Sequence, residues 1–296
     1  MKSLSGISVI IPTIAIKERE VLLRRAIDSI RHSSANQIQI IVVVNGGRAD
    51  PEICNWLKLQ PDIHYEYVAT PSLPQAIFRG RELVQTPFFS FLDDDDEYLT
   101  SGTDTKFSIF SSQPDIDIVV TSGFRHIAGV DEPIMVSIED VPSAPLSKLF
   151  DFNWLSSCNA LYRSSSFPAI FFADFHAYAE WTWFAFKLAL SGKQIRAVNR
   201  PTFRINDTPD SLSKSQSYYD SHMLLYRRML NLAPPRNIVR VIKQRISADW
   251  HDQSVRSLSD GRKLNAITCH LRSLIMPGGF QYLMYTRRLF PFWRNS

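Results

Sequence analysis

A chain of 296 residues with 45% hydrophobic content can bury a substantial core, which excludes a disordered protein and leaves room for one large domain, or one domain with an appendage. Its 33 basic against 29 acidic residues give a formal charge of +4 and a pI near 8.9, too mild an excess to demand nucleic acid as a partner. Three cysteines, Cys54, Cys158 and Cys269, have neither an even count nor metal-ligand spacing, so neither a disulfide framework nor a zinc site is expected, and a reducing cytoplasm fits.

The start of the chain has one Lys and a short apolar run cut by Pro12, not the extended apolar core of a secretory signal, and no apolar stretch reaches the length of a membrane span. The expectation is a cytoplasmic protein, at most peripheral on the inner face of a membrane. Ile7 to Ile11 is a short run, β-branched but for Ser8, and reads as a buried strand that ends in a loop at Pro12. Val21, Leu22, Leu23, Ala26, Ile27 and Ile30 then recur at helical spacing, and Ile38 to Val44 forms a second apolar strand closed by Asn45, Gly46 and Gly47. Strand, helix, strand opens a parallel sheet.

The alternation continues with a strand at Ile63 to Val68, a helix at Leu73 to Val84 and a strand at Phe88 to Leu92 that runs into Asp93-Asp94-Asp95-Asp96-Glu97. A fifth strand is expected at Ile116 to Thr121. Ligands of open α/β sheets gather beyond the carboxyl ends of the strands, so Pro12, Asn45 and Asp93 are expected to meet at one crevice. Were the backbone to stay extended through the acidic run, Asp93 and Asp95 would point to the same side. Like carboxylates on one face repel, and a hard cation with oxygen ligands, Mg²⁺ or Mn²⁺, relieves that cost when substrate phosphates complete its shell.

Beyond Ser122 the alternation loosens into aromatic-rich segments. Tyr178 to Leu190 reads as a helix ending near Gly192, and after about Ser213 the chain turns to basic amphipathic helices broken at Pro234, Pro235 and Pro277. We therefore divide it into a domain over 1–212 and a helical, basic and aromatic extension over 213–296.

Ile7-Ser8-Val9-Ile10-Ile11-Pro12-Thr13, Ile40-Ile41-Val42-Val43-Val44-Asn45-Gly46 and Phe91-Leu92-Asp93-Asp94-Asp95-Asp96, in that order and spacing, resemble family 2 of the glycosyltransferases. The resemblance implies a GT-A fold, a Rossmann-like, mostly parallel sheet flanked by helices. It also implies a nucleotide-sugar donor (UDP-, GDP- or dTDP-linked), Mn²⁺ or Mg²⁺ as cofactor, and direct displacement with inversion. By that resemblance Pro12, Thr13, Asn45 and Gly46 cradle the nucleotide, Asp93 and Asp94 belong to the donor site, and Asp95 with Asp93 holds the metal. Glu180, in Ala179-Glu180-Trp181, stands where the family places its general base, with Asp174 in reserve.

Arg79 and Arg204 are candidate donor-phosphate ligands, and Ser157 and Asn159 lie in a stretch resembling the acceptor side, where Trp154 and Trp183 could stack on a sugar ring. Ser211 and Ser213 resemble the Ser-rich loop that follows the last core strand. The implied acceptor is a glycan or lipid-linked oligosaccharide of cell-surface polysaccharide synthesis. Phe280 to Arg294 mixes aromatics with cations as membrane-surface segments do, and packing on the catalytic domain is the other reading.

Several positions depart from the family pattern. Asn45 replaces an acidic residue, Ala179 replaces the acid that usually precedes the base, and Ala76-Ile77-Phe78-Arg79-Gly80 keeps only the Gly of an Ala-Arg-Asn-x-Gly segment. They keep open a non-catalytic sugar-nucleotide-binding relative. A nucleotidyltransferase is disfavoured, because Pro12 to Arg19 has no Gly with which to cradle phosphate.

Overall fold

The computed structural model describes residues 6–207 and 216–290, except the side chains of 216–220. By internal contact the chain divides into two compact units, Met1–Lys214 and Ser215–Ser296.

The first unit grows from its apolar runs. β1 (Ile7–Thr13) is buried throughout and β2 (Ile38–Asn45) over its last six positions, as expected of strands covered on both faces. A 3₁₀ turn at Lys17–Arg19 leads into α1 (Glu20–His32), whose Leu23, Ala26, Ile27 and Ile30 share one cluster with Val9, Ile11, Val42 and Val44. α2 (Pro51–Leu59) and β3 (Ile63–Val68) follow, then α3 (Leu73–Leu83) on the opposite face of the sheet. There a Cβ on Gly80 would fall 2.3 Å from Ile10 Cγ2 and 3.3 Å from Val43 Cγ2, so only glycine lets α3 approach this closely.

β4 (Phe88–Phe91) alternates in the same way. Phe88 meets Phe107 and Phe110 of α4 (Gly102–Ser112), while Phe89 and Phe91 enter an aromatic layer with Tyr162 and Phe172. The remaining elements of the unit are β5 (Glu97–Tyr98), β6 (Ile118–Thr121), β7 (Gly123–Ile127), β8 (Val130–Ile134), α5 (Pro145–Asp151), β9 (Ala160–Arg163), α6 (Ile170–Ala173), α7 (Glu180–Leu190), β10 (Ile195–Val198) and β11 (Phe203–Asn206).

Seven strands form one sheet in the order β10-β6-β9-β4-β1-β2-β3, parallel except where β9 runs antiparallel between β4 and β6. The chain moves outward from β1 to β3 and then crosses back, placing β4 on the other side of β1. This reversal opens a crevice at the carboxyl ends of β1 and β4. A second, four-stranded sheet, β5-β11-β7-β8, was not foreseen from the sequence.

Two expectations need correction. The backbone does not stay extended through the acidic run: β4 ends at Phe91, and Asp96 N donates to Asp93 O at 3.2 Å, closing a turn over Asp94 and Asp95. Strand alternation is therefore not what groups these carboxylates. The helix expected from Tyr178 starts at Glu180, because Tyr178 has φ 67° and so lies outside the helical region.

The second unit contains α8 (Gln216–Asn231), α9 (Arg236–Ser259), α10 (Lys263–Leu274), a 3₁₀ segment (Gly279–Tyr285) and α11 (Thr286–Leu289). α9 and α10 meet along a seam of small side chains. Ser254 Oγ donates to Ala266 O at 2.6 Å and Ser247 Oγ to Ser273 O at 2.8 Å, so the hydroxyls are satisfied by the facing helix backbone.

Candidate active site

The crevice beyond β1 and β4 is assembled by hydrogen bonds between segments remote in sequence. Thr13, the last residue of β1, donates its hydroxyl to Asp94 Oδ2 at 2.5 Å and accepts from Ala15 N at 3.0 Å. Asn45, the last residue of β2, donates Nδ2 to Thr13 O at 3.0 Å. Gly46 has φ 87°, and its N–H donates to Val68 O at 2.9 Å. A Cβ there would lie 2.9 Å from Pro71 Cβ, so both the conformation and the space call for glycine.

The carboxylates of the acidic turn are held by partners from several elements, Asp94 and Asp95 sharing one arginine. Asp93 accepts from Ser157 Oγ at 2.8 Å. Asp94 is buried between Thr13 and the Arg19 guanidinium, which also reaches Asp95 Oδ2 at 3.1 Å. Asp96 accepts from Asn206 N at 3.0 Å, while Asn206 Nδ2 donates to Asp95 O at 2.8 Å. Arg25 braces the turn from α1, donating Nη2 to Asp95 O at 2.9 Å and pairing Nε with Glu97 at 3.0 Å. Arg19 and Arg25 were missed from the sequence because their partners lie some seventy residues away, and no local pattern announces such contacts.

The electrostatics are those of an incompletely neutralised anionic site. Burial first, then the charge of Asp95, pushes the Asp93 carboxyl up to about 7 against the opposing hydrogen bond from Ser157. The Glu180 carboxylate is close enough to add to that push. Burial and the charges of Asp93 and Asp95 also raise Asp96 well above the usual carboxylate range. Burial opposes the charge of Arg19, but its contacts with Asp94 and Asp95 outweigh this and hold it protonated.

Glu180 opens α7 directly after the left-handed Tyr178, and its Oε1 accepts from Tyr178 N at 3.1 Å. It is buried, and burial raises its carboxyl above the ordinary value. The neighbouring Trp181 packs its ring on Phe91 at 5.3 Å, which ties the start of α7 to the strand that delivers Asp93.

Other sequence candidates lie in different surroundings. Arg79 pairs with Glu66 at 2.8 Å and Glu82 at 3.2 Å. Arg204 grips Asp131 through Nε and Nη2, the shortest contact being 2.6 Å, and approaches Glu97 at 3.5 Å. Asn159 is fully buried, its Nδ2 donating to Trp154 O at 2.8 Å and its Oδ1 accepting from Ser156 N at 2.9 Å. Trp154 and Trp183 are core residues whose indole N–H groups donate to Pro145 O and Asp174 O, both at 3.0 Å. The Asp174 carboxylate lies 3.6 Å from Lys187 Nζ. Pro12 is buried within β1, and Ser211 and Ser213 lie outside the described residues.

Among the described residues no group of three or more His, Cys, Asp or Glu side chains could hold a metal ion by itself. Asp93 and Asp95 offer only oxygen donors, and burial, then the charge of Asp95, keeps Asp93 raised although Ser157 donates to it and Arg19 reaches Asp95.

A mostly parallel, doubly wound sheet with a crevice at its carboxyl ends is an architecture that binds its ligands there. The profile described as glycosyl transferase family 2 matches residues 8–171, more than half of the chain, and the protein belongs to that family. A search of curated proteins finds no match. Among solved structures, S. aureus TarS 1-349 in complex with UDP-GlcNAc is similar with a TM-score of 0.63 at 15% identity, over 91% of this chain and 80% of that one. TarS 1-349 in complex with UDP is similar with a TM-score of 0.57 at 14% identity, over 91% and 90%. At such identities the likeness is one of fold.

Proposed function

We propose that this glycosyltransferase moves a sugar from a nucleoside diphosphate sugar to a hydroxyl of a glycan or lipid-linked acceptor, with inversion at the anomeric carbon. The observation that carries the reading is the buried Asp93, raised to about 7 beside Asp95 and within electrostatic reach of Glu180. It joins an anionic site in need of a cation to a carboxylate suited to accept a proton.

Thr13, Asn45 and Gly46 would line the nucleotide end of the crevice, and Asp93 with Asp95 would hold Mn²⁺ or Mg²⁺ against the diphosphate. When bound, the ion would supply positive charge to the leaving diphosphate. Arg19, Arg25 and Asn206 keep the acidic turn in one conformation, so its geometry is set before the donor arrives. The acceptor oxygen would form a bond to the anomeric carbon as the bond to the β-phosphate oxygen breaks. That electron pair leaves with the nucleoside diphosphate, and the hydroxyl proton passes to Glu180. Its raised carboxyl makes Glu180 a stronger base than an exposed glutamate.

The test is a thermal-shift screen of UDP, GDP, CDP and dTDP with and without Mn²⁺, repeated on Asp95→Ala, together with an assay for sugar-nucleotide hydrolysis. UDP comes first because the similar structures carry UDP and UDP-GlcNAc. A Mn²⁺-dependent shift with one nucleotide that vanishes in Asp95→Ala is the expected result. Absence of any nucleotide effect would overturn the donor assignment, and a shift without turnover would favour the non-catalytic relative that Asn45 and Ala179 keep open.

A further inference from the structure

We propose that the outward face of α10 and the 3₁₀ segment after it bind the surface of an anionic lipid bilayer. The pattern of α10 is reversed from that of a water-facing helix. Its inner face carries Ala266, Cys269, His270 and Ser273, and the serine seam with α9 needs no large side chain there. The apolar residues point outward instead: Leu264 is 84% exposed, Leu271 56% and Ile275 78%. Positions 264, 271 and 275 follow one another at spacings of seven and four, which places them in a single stripe. Phe280, 83% exposed, and Met284, 67% exposed, extend the apolar surface into the next segment.

Charge identifies the partner. Residues 261–290 contain Arg262, Lys263, Arg272, Arg287 and Arg288 and no Asp or Glu; the acids nearest them, Asp260 paired with Arg262 and Asp249 and Asp252 near Tyr282, come from α9 and its end, and the stretch keeps a cationic excess. All five cations are exposed on the same stretch of chain as the apolar stripe. A second copy presenting this face would set cations against cations, whereas anionic headgroups neutralise them while the acyl boundary receives the apolar side chains. No described helix is long and apolar enough to cross a membrane, so the mode of binding is a helix lying in the interface.

The experiment is co-sedimentation of the full chain with phosphatidylglycerol–phosphatidylcholine vesicles and with pure phosphatidylcholine vesicles, at low and high salt. Wild type is expected to partition onto the anionic vesicles and to come off as salt rises. Removing two charges, Arg287→Gln with Arg288→Gln, lowers the partition coefficient roughly thirty-fold. Replacing the stripe, Leu271→Gln with Ile275→Gln and Phe280→Gln, lowers it by at least about tenfold. Because all of these side chains are exposed, thermal melts of both variants should overlay wild type. No partition on anionic vesicles at low salt would overturn the proposal, as would equal partition of wild type and both variants. A concentration-dependent dimer that the apolar substitutions dissolve, without vesicle binding, would assign the face to a second copy instead.

Discussion

Lys106 is a charge placed where a hydrophobic side chain would be expected, and replacing it with methionine is a quantitative test of how the site is supported. Its side chain is fully buried in α4, with Nζ donating to Cys158 O at 3.0 Å and lying 4.2 Å from the centre of the Tyr98 ring. Burial lowers its pKa from 10.5 to about 7. Between those values the unfolded chain binds the proton and the folded chain does not, so stability rises with pH across this window. At about 1.4 kcal/mol per decade, the cost of burying the lysine is about 4 kcal/mol at pH 7 and falls below about 1 kcal/mol by pH 10. Lys106→Met removes that cost but leaves the Cys158 carbonyl unpaired, a loss of about 1–3 kcal/mol. The variant should therefore be more stable than wild type by about 1–3 kcal/mol at pH 7 and should lose that advantage by pH 10. Urea unfolding of both proteins at pH 7 and pH 10 measures the difference. A gain that does not change with pH, or a loss of stability already at pH 7, would refute the reasoning. Since Cys158 follows Ser157, which holds Asp93, a second readout is donor turnover, expected to fall as the loop loosens even while stability rises.

Glu180→Gln should lower kcat about 10²- to 10⁴-fold, with nucleotide binding by thermal shift unchanged. Retained turnover would move the base elsewhere, with Asp174 next. In wild type the acid limb of kcat/KM should lie above 4.5, because burial raises the Glu180 carboxyl and activity is lost as pH falls through that raised value. An acid limb at or below 4.5 would contradict its assignment. Gly80→Ala should destabilise the first unit by about 1–3 kcal/mol, seen as a lower melting temperature, since the new methyl would meet Ile10 at 2.3 Å.

What could be read in advance depended on the distance over which each signal acts. β1, β2 and β4 were legible because strands buried on both faces are mostly apolar, interrupted here only by Ser8, Gln39 and Ser90 before their terminal residues, and the crevice followed from their order. α2 carried a signal that went unused: Asp50 caps the helix by accepting from Glu52 N and Ile53 N, and Pro51 takes the first helical position. The second sheet left little local trace, since β5 spans two residues and β7 and β8 alternate without an apolar run. At the site, the residue types of the acidic run were plain in the sequence, but their geometry was not. A turn and two arginines from another part of the chain set it, which alternation along a strand could not show. In the second unit the helices were foreseen from their basic amphipathic character, whereas the outward apolar face of α10 emerged only once the serine seam fixed which side faces α9.

The contact between Trp181 and Phe91 acts as a spacer of fixed length. One ring belongs to the residue after Glu180, the proton acceptor proposed above, the other lies two residues before Asp93, and their 5.3 Å separation is set inside an aromatic layer shared with Phe172 and Phe184. A change in the size of Phe91, which is fully buried, would cost stability and would also alter the gap between Glu180 and Asp93, so folding and turnover would both register it.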